Sequence, residues 1–197
     1  MTELWIVVGA VVALLLFWLL GVPSWALILF ELSAIAAFVG VGRSVDRDLG
    51  RWRRGAEGEE HVGRILEGLS VEGWHVLHDV SFGRGNIDHI AIGPGGVFTV
   101  ETKSHSGRIS ADHLDLKMLN QAYAEKKTLE EVTKIEARPL LVFSRAYLIE
   151  RPPVTRRGVV IMPARTLPWF FSRQRPTLSA EEARNVYDRL ALAVGQA

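Results

Sequence analysis

The sequence has no cysteine. That excludes disulfide staples, thiolate zinc sites and cysteine nucleophiles, and it suits a reducing compartment. The first 42 residues lack lysine and arginine entirely and hold two acids, Glu3 and Glu31. No positive start precedes the first apolar run, so a cleaved secretory leader is not expected. Internal repeats and low-complexity tracts are missing as well. The six histidines, His61, His75, His78, His89, His105 and His113, show no zinc-ligand spacing. Among 197 residues, 48% are hydrophobic and 23% charged, and the net charge is +1. Residues 43–197 carry all 23 basic residues and 20 acids, a net of +3. That is mildly basic and does not by itself demand a nucleic-acid partner.

Two apolar runs open the chain. Leu4 to Leu20 is unbroken, Gly21-Val22-Pro23-Ser24 interrupts it, and Trp25 to Gly42 is apolar again except at Glu31. A helix rises about 1.5 Å per residue, so roughly 20 residues cross a hydrocarbon core of about 30 Å. The pattern predicts a transmembrane helical hairpin over residues 1–42, with Trp5, Trp18, Trp25 and Trp52 near the interfaces. Arg43, Arg47, Arg51, Arg53 and Arg54 follow at once. Positive residues stay on the cytoplasmic side. The expectation is therefore a multi-pass cell-membrane protein whose N-terminus and C-terminal domain are both cytoplasmic, joined by a basic linker over 43–54. Glu31, together with the small pairs Ser33/Ala37 and Ala36/Gly40, points to helix association and a homo-oligomer through the hairpin. A buried helical hairpin in a soluble protein is the other reading of the two runs.

The remainder alternates helical and strand patterns. Gly55 to Ser70 reads as a helix with Val62, Ile65, Leu66 and Leu69 on one face. His75–Val80, Asn86–Ile92 and Val97–Lys103 read as strands, the last two around Gly93-Pro94-Gly95-Gly96. A polar-faced helix from Leu114 to about Ala137, strands at Leu140–Phe143 and Val159–Met162, and a last helix capped by Ser179 and Glu182 complete the order. This is an α/β domain with a mixed sheet flanked by helices.

The hairpin carries the chemistry. If residues 93 to 96 close it, Ile92 faces Val97, and counting back puts Asp88 opposite Glu101 and Asn86 opposite Lys103. Side chains alternate along a strand, so Asp88, Glu101 and Lys103 share a face, while Ile87, Ala91, Phe98 and Val100 share the other. Opposed residues have Cβ atoms about 4.5–5.5 Å apart. Two carboxylates that close repel unless a cation sits between them, and a hard divalent ion such as Mg²⁺ takes oxygen ligands. At about 100° per residue, Glu59 falls at the edge of the apolar stripe of the first helix and can look toward the sheet. Glu60 points to solvent, and His89 points away from the carboxylate face.

Gly55-Ala56-Glu57-Gly58-Glu59, Asn86-Ile87-Asp88-His89, Gly96-Val97-Phe98 and Glu101-Thr102-Lys103 resemble, in order and spacing, the nuclease-related domain (NERD) family. That family belongs to the PD-(D/E)xK restriction-endonuclease-like superfamily. The resemblance runs from about Gly55 to Leu129, in a domain expected to span 55–197, and Asn120-Gln121 matches a polar position of the family. Ile87 stands where the superfamily name has proline, which the NERD pattern lacks. The resemblance implies phosphodiester hydrolysis of nucleic acid, with DNA the expected substrate, assisted by Mg²⁺ or Mn²⁺. In that scheme Asp88 and Glu101 hold the metal. Lys103 orients or deprotonates the attacking water and balances phosphate charge. Glu59 adds a ligand or holds a water, and Gln121 and Asn86 support from behind or touch substrate. Two other functions fit the same chain: a non-catalytic membrane-tethered nucleic-acid-binding or signalling adaptor, and a structural membrane protein. The acids then reduce to strand residues and a surface ion pair worth under about 1 kcal/mol.

Overall fold

A computed structural model describes residues 24–83 and 85–195, together with positions 8, 9, 11, 12 and 19; at 24, 27, 44, 45, 47 and 48 it describes the backbone alone. The chain divides into two compact units, Met1–Trp52 and Arg53–Ala197.

In the first unit the expected hairpin meets a limit. Most of the first apolar run and the Gly21-Val22-Pro23 turn lie outside the described residues. The second run belongs to helix α1, Ser24–Glu67, which is 44 residues long. Among the described residues no helix is long and apolar enough to cross a membrane. Trp25, Ile28, Phe30, Leu32, Ile35, Phe38 and Val41 are exposed along it. Residues 43–54, expected as a linker, are helical; five arginines and Leu49 favour the helix, and the stretch has no proline to break it.

The second unit is a mixed α/β fold, and its six strands form one sheet in the order β1-β2-β3-β4-β6-β5. They are β1 His75–Ser81, β2 Asn86–Gly93, β3 Gly96–Ile109, β4 Ala137–Leu148, β5 Val154–Arg156 and β6 Val159–Pro163. The β1–β2, β2–β3 and β5–β6 pairs are antiparallel. β3–β4 and β4–β6 are parallel. Helix α2, Leu116–Thr133, makes the crossover that a parallel β3–β4 pair requires. Two helices follow the sheet: α3, Leu167–Ser172, and α4, Ala180–Ala193. Ser179 caps α4 reciprocally with Glu182, as the sequence predicts.

Both faces of the sheet are covered. Val62 and Leu66 of α1 and Phe170 and Phe171 of α3 pack with Trp74, Ala91, Phe98, Val100 and Leu140 on one face. On the other, α4 and the end of α2 bury Leu77, Ile90, Ile92 and Val97, and the start of α2 buries Leu141, Phe143 and Ile161. A sheet buried on both sides explains why its central strands read as apolar runs.

The β2–β3 hairpin keeps the predicted register, Ile92 opposite Val97. Its loop is shorter than the four residues expected, since Gly93 and Gly96 pair and leave Pro94-Gly95 as the turn. The alternation breaks once. Ile87, expected with Ala91, packs with Ile90 and Ile92 on the opposite face. The cause lies in β1: Asp79 is left-handed, at φ 49°, and the 79–88 pair is missing between His78↔His89 and Val80↔Ile87. The same step puts Leu77 and Val80 in one cluster, three residues apart.

Candidate active site

The site sits where β2 and β3 part. Their ladder runs from Gly93↔Gly96 to His89↔Val100 and stops there. The next amide on β3 that would need a partner, Thr102 N–H, donates instead to Asp88 Oδ2 at 2.7 Å. A side-chain carboxylate thus replaces a backbone carbonyl at the point where the sheet opens. Glu101 lies beside it, 2% exposed. Lys103 Nζ donates to Glu101 Oε1 at 2.5 Å and to Gln121 Oε1 at 3.0 Å. Immediately beyond Lys103 the β3–β4 register shifts between Lys103 and Ser106. Such irregularities bend a strand and re-aim its side chains.

Glu59 comes from the other side of the sheet on α1. Two glycines let the helix approach. A Cβ at Gly58 would stand 2.7 Å from Ser144 Oγ, and one at Gly63 3.3 Å from the Cε1 atoms of His78 and His89. Glu59 therefore shares a cleft of about 470 Å³ with Asp88, Asp79, His78 and His89. Glu60 is exposed, as expected, and pairs with Arg64 at 2.6 Å, yet both residues also line the cleft beside Glu59.

The acids press on one another. Burial first, and the Glu101 carboxylate second, push Asp88 up from 3.8 to about 7. Burial and then Glu101 and Asp79 raise Glu59 above its ordinary value. A fourth carboxyl, which sequence reasoning missed, belongs to the same group. Glu125 of α2 is 8% exposed, and among the described residues no hydrogen bond of good geometry reaches either of its oxygens. Burial and contact with Glu101 push it to about 10. The signal was present in the sequence: Glu125 is one helical turn after Gln121, so the two share a face.

The structure thus brings Asp88, Glu101, Lys103, Glu59 and Gln121 to one locality. It does not place Asn86 opposite Lys103. With the ladder ended, Asn86 Nδ2 donates to Asp79 Oδ1 at 2.5 Å, and its residue lines a smaller cleft with Gln121 and Glu125. His89 is buried against His78, Nδ1 to Nδ1 at 2.8 Å, and burial, then His78, lower it to about 4. His78 in turn meets Glu67 at 3.2 Å.

The donor set suits a hard divalent ion. Among the described residues Glu101 Oε2 is buried without a hydrogen-bond partner, and Asp88 is beside it. Mg²⁺ is commonly held by one or two carboxylates, with waters and substrate phosphate completing its shell. Among the described residues no three His, Asp or Glu side chains form a ready-made cage.

Fold and site together define a mixed α/β domain with an acidic centre and one neutralising lysine at an opening in its sheet. Residues 54–147 match the family model of the nuclease-related domain. An uncharacterized protein of Bacillus anthracis is 38% identical over 87 residues, 42% of this chain and 41% of that protein. The chain thus spans less than half of that relative's length. A crystal structure of a protein of unknown function superposes with a TM-score of 0.39 at 14% identity, covering 73% of this chain and 100% of that one. A likeness that slight adds nothing about the site.

Proposed function

We propose that the domain hydrolyses phosphodiester bonds of DNA with the help of Mg²⁺ or Mn²⁺. One observation carries the reading: Asp88, Glu101, Glu59 and Glu125 crowd together with Lys103 as the amine beside them. Like charges brought this close destabilise a fold unless a cation or a proton offsets them. Asp88 and Glu101 would hold the ion, and Glu59 would add a ligand or hold a water. A bound divalent ion would supply the polarisation of the scissile phosphate and the acidification of water.

The chain's own groups do the rest. Gln121 accepts from Lys103 and so fixes the ammonium over Glu101. Lys103 is then placed to orient or deprotonate the attacking water and to balance phosphate charge. Asp88 keeps its position through the Thr102 amide. Carboxylates alone would repel the phosphate, so activity should vanish when divalent ions are chelated.

Membrane attachment is part of the same proposal. The exposed apolar side chains between Trp25 and Val41 have no water-compatible role, and a contiguous apolar surface of this kind fits lipid or another copy of the helix. We place the chain in the cell membrane with its N-terminus and domain cytoplasmic, associated through the apolar segment.

The test is cleavage of supercoiled and linear DNA by the full chain in Mg²⁺ or Mn²⁺. Asp88→Ala and Glu101→Ala should each cost at least about a thousandfold, and calorimetric Mn²⁺ binding should disappear in Asp88→Ala. Equal cleavage by wild type and both variants would end the nuclease reading. DNA binding without cleavage would favour the tethered adaptor. Recovery of the chain in the soluble fraction after lysis would end the membrane reading separately.

A further inference from the structure

A second depression, of about 500 Å³, lies at the hairpin turn, five residues before Glu101 along β3. That separation is about 17 Å of strand. Its lining includes Arg138, Arg173, Arg175, Gln174 and Thr177, with Glu136 as the acid. The walls are fixed by packing. Thr177 and Leu178 amides both donate to Pro94 O, at 2.7 and 3.1 Å. Gly95 packs so closely that a Cβ there would be 2.4 Å from Gln174 Cβ, and Gly96 has φ +103°.

Arg138 is held from two sides. Its Nη2 donates to Gly95 O at 2.7 Å, and its guanidinium lies 4.1 Å over the Phe98 ring. One of five N–H donors is spent there, which leaves most of the fork for a ligand. Arg173 lies 5.9 Å from the ring of Trp169, a residue outside the lining and 51% exposed. Among the described residues none of the three arginines joins an ion pair within 4.0 Å. Three guanidiniums around one hollow repel each other, and Glu136 offsets one of them. Planar guanidinium forks match phosphate oxygens, and the exposed indole next to Arg173 offers a face to a base.

We propose that this hollow binds a phosphate-bearing ligand of nucleotide size, with phosphate on Arg138, Arg173 and Arg175 and the base against Trp169. The volume is in the range of small-molecule sites. The proposal is independent of the nuclease reading, since no acid of the opened sheet takes part.

The experiment is calorimetric titration of the full chain, without divalent ions, using orthophosphate, AMP and a short single-stranded oligonucleotide. AMP should bind about tenfold more tightly than orthophosphate. Arg173→Glu with Arg175→Glu, both exposed positions, should weaken AMP at least about a hundredfold at unchanged thermal stability. Arg138→Lys, which keeps the charge and loses the fork, should cost about tenfold. Trp169→Ala should remove the advantage of AMP and leave orthophosphate binding. Glu101→Gln should bind AMP as wild type does. Failure of AMP to bind, AMP binding that survives the double charge reversal, or binding seen with the oligonucleotide alone would each overturn the proposal.

Discussion

Replacing Asp88 by asparagine should make the metal-free protein more stable, by an amount that grows from about pH 4 to pH 7 and then levels off. Asp88 is raised from 3.8 to about 7 by burial and by Glu101. A raised carboxyl favours the folded state while it stays protonated. Below about pH 4 both states hold the proton and no penalty exists. As pH climbs from 4 to 7 the unfolded chain ionises freely and the folded one does not, so stability falls through that window and levels off above it. At 1.36 kcal/mol per decade the full loss is about 4 kcal/mol, and partial solvent access brings it to about 2–4 kcal/mol. For a domain of this size that is about 5–15 °C in melting temperature. Asparagine can still accept from Thr102 N–H through its carbonyl oxygen, so the contact seen at 2.7 Å need not be lost. Melting curves of wild type and Asp88→Asn from pH 4 to pH 9 in EDTA should diverge with rising pH. Saturating Mn²⁺ should close the gap by stabilising wild type alone. Parallel pH profiles for the two proteins, or a variant less stable than wild type at pH 8, would refute the reasoning.

Lys103→Met should lower cleavage at least about a hundredfold and should also cost the metal-free fold about 3 kcal/mol, since it leaves the buried Glu101 carboxylate without its ammonium; urea unfolding in EDTA and a cleavage assay read the two effects separately. Gly93→Ala would drive a Cβ to 2.5 Å from the Trp74 ring in the core, so about 2–4 kcal/mol should be lost in urea unfolding. Ser179→Ala removes a reciprocal cap on α4 and should cost about 1 kcal/mol by the same measurement.

Much of the hairpin was legible in the sequence. Gly93-Pro94-Gly95-Gly96 marks the turn, and period-two patterning fixes Ile92 opposite Val97, so Asp88 and Glu101 fall at matching heights. The place of Glu59 beside the cleft was legible because it falls at the edge of a helical apolar stripe, although the adjacent Glu60 lines the cleft as well. What failed was whatever depends on a partner strand or helix. The left-handed turn at Asp79 lies on β1, and nothing in β2 announces that Ile87 will change faces because of it. Asn86 went astray for the same reason. Glu125 hid among the lysines and glutamates of a helix that reads as solvent-facing, where its spacing of one turn from Gln121 was the one signal, and its packing against Glu101 shows what that spacing meant. Helix α3 is six residues long and begins Leu-Pro, too short for periodicity to register. Strand β5 has three residues and is equally silent.

The early end of the β2–β3 ladder sets a limit on how this domain can be improved. Any substitution that zipped the two strands further would gain hydrogen bonds and rigidity. It would also hand the Thr102 amide to a carbonyl and evict Asp88 from its post. Selection for heat resistance and selection for turnover would then pull on the same few atoms in opposite directions, so thermostable variants should be sought far from this seam.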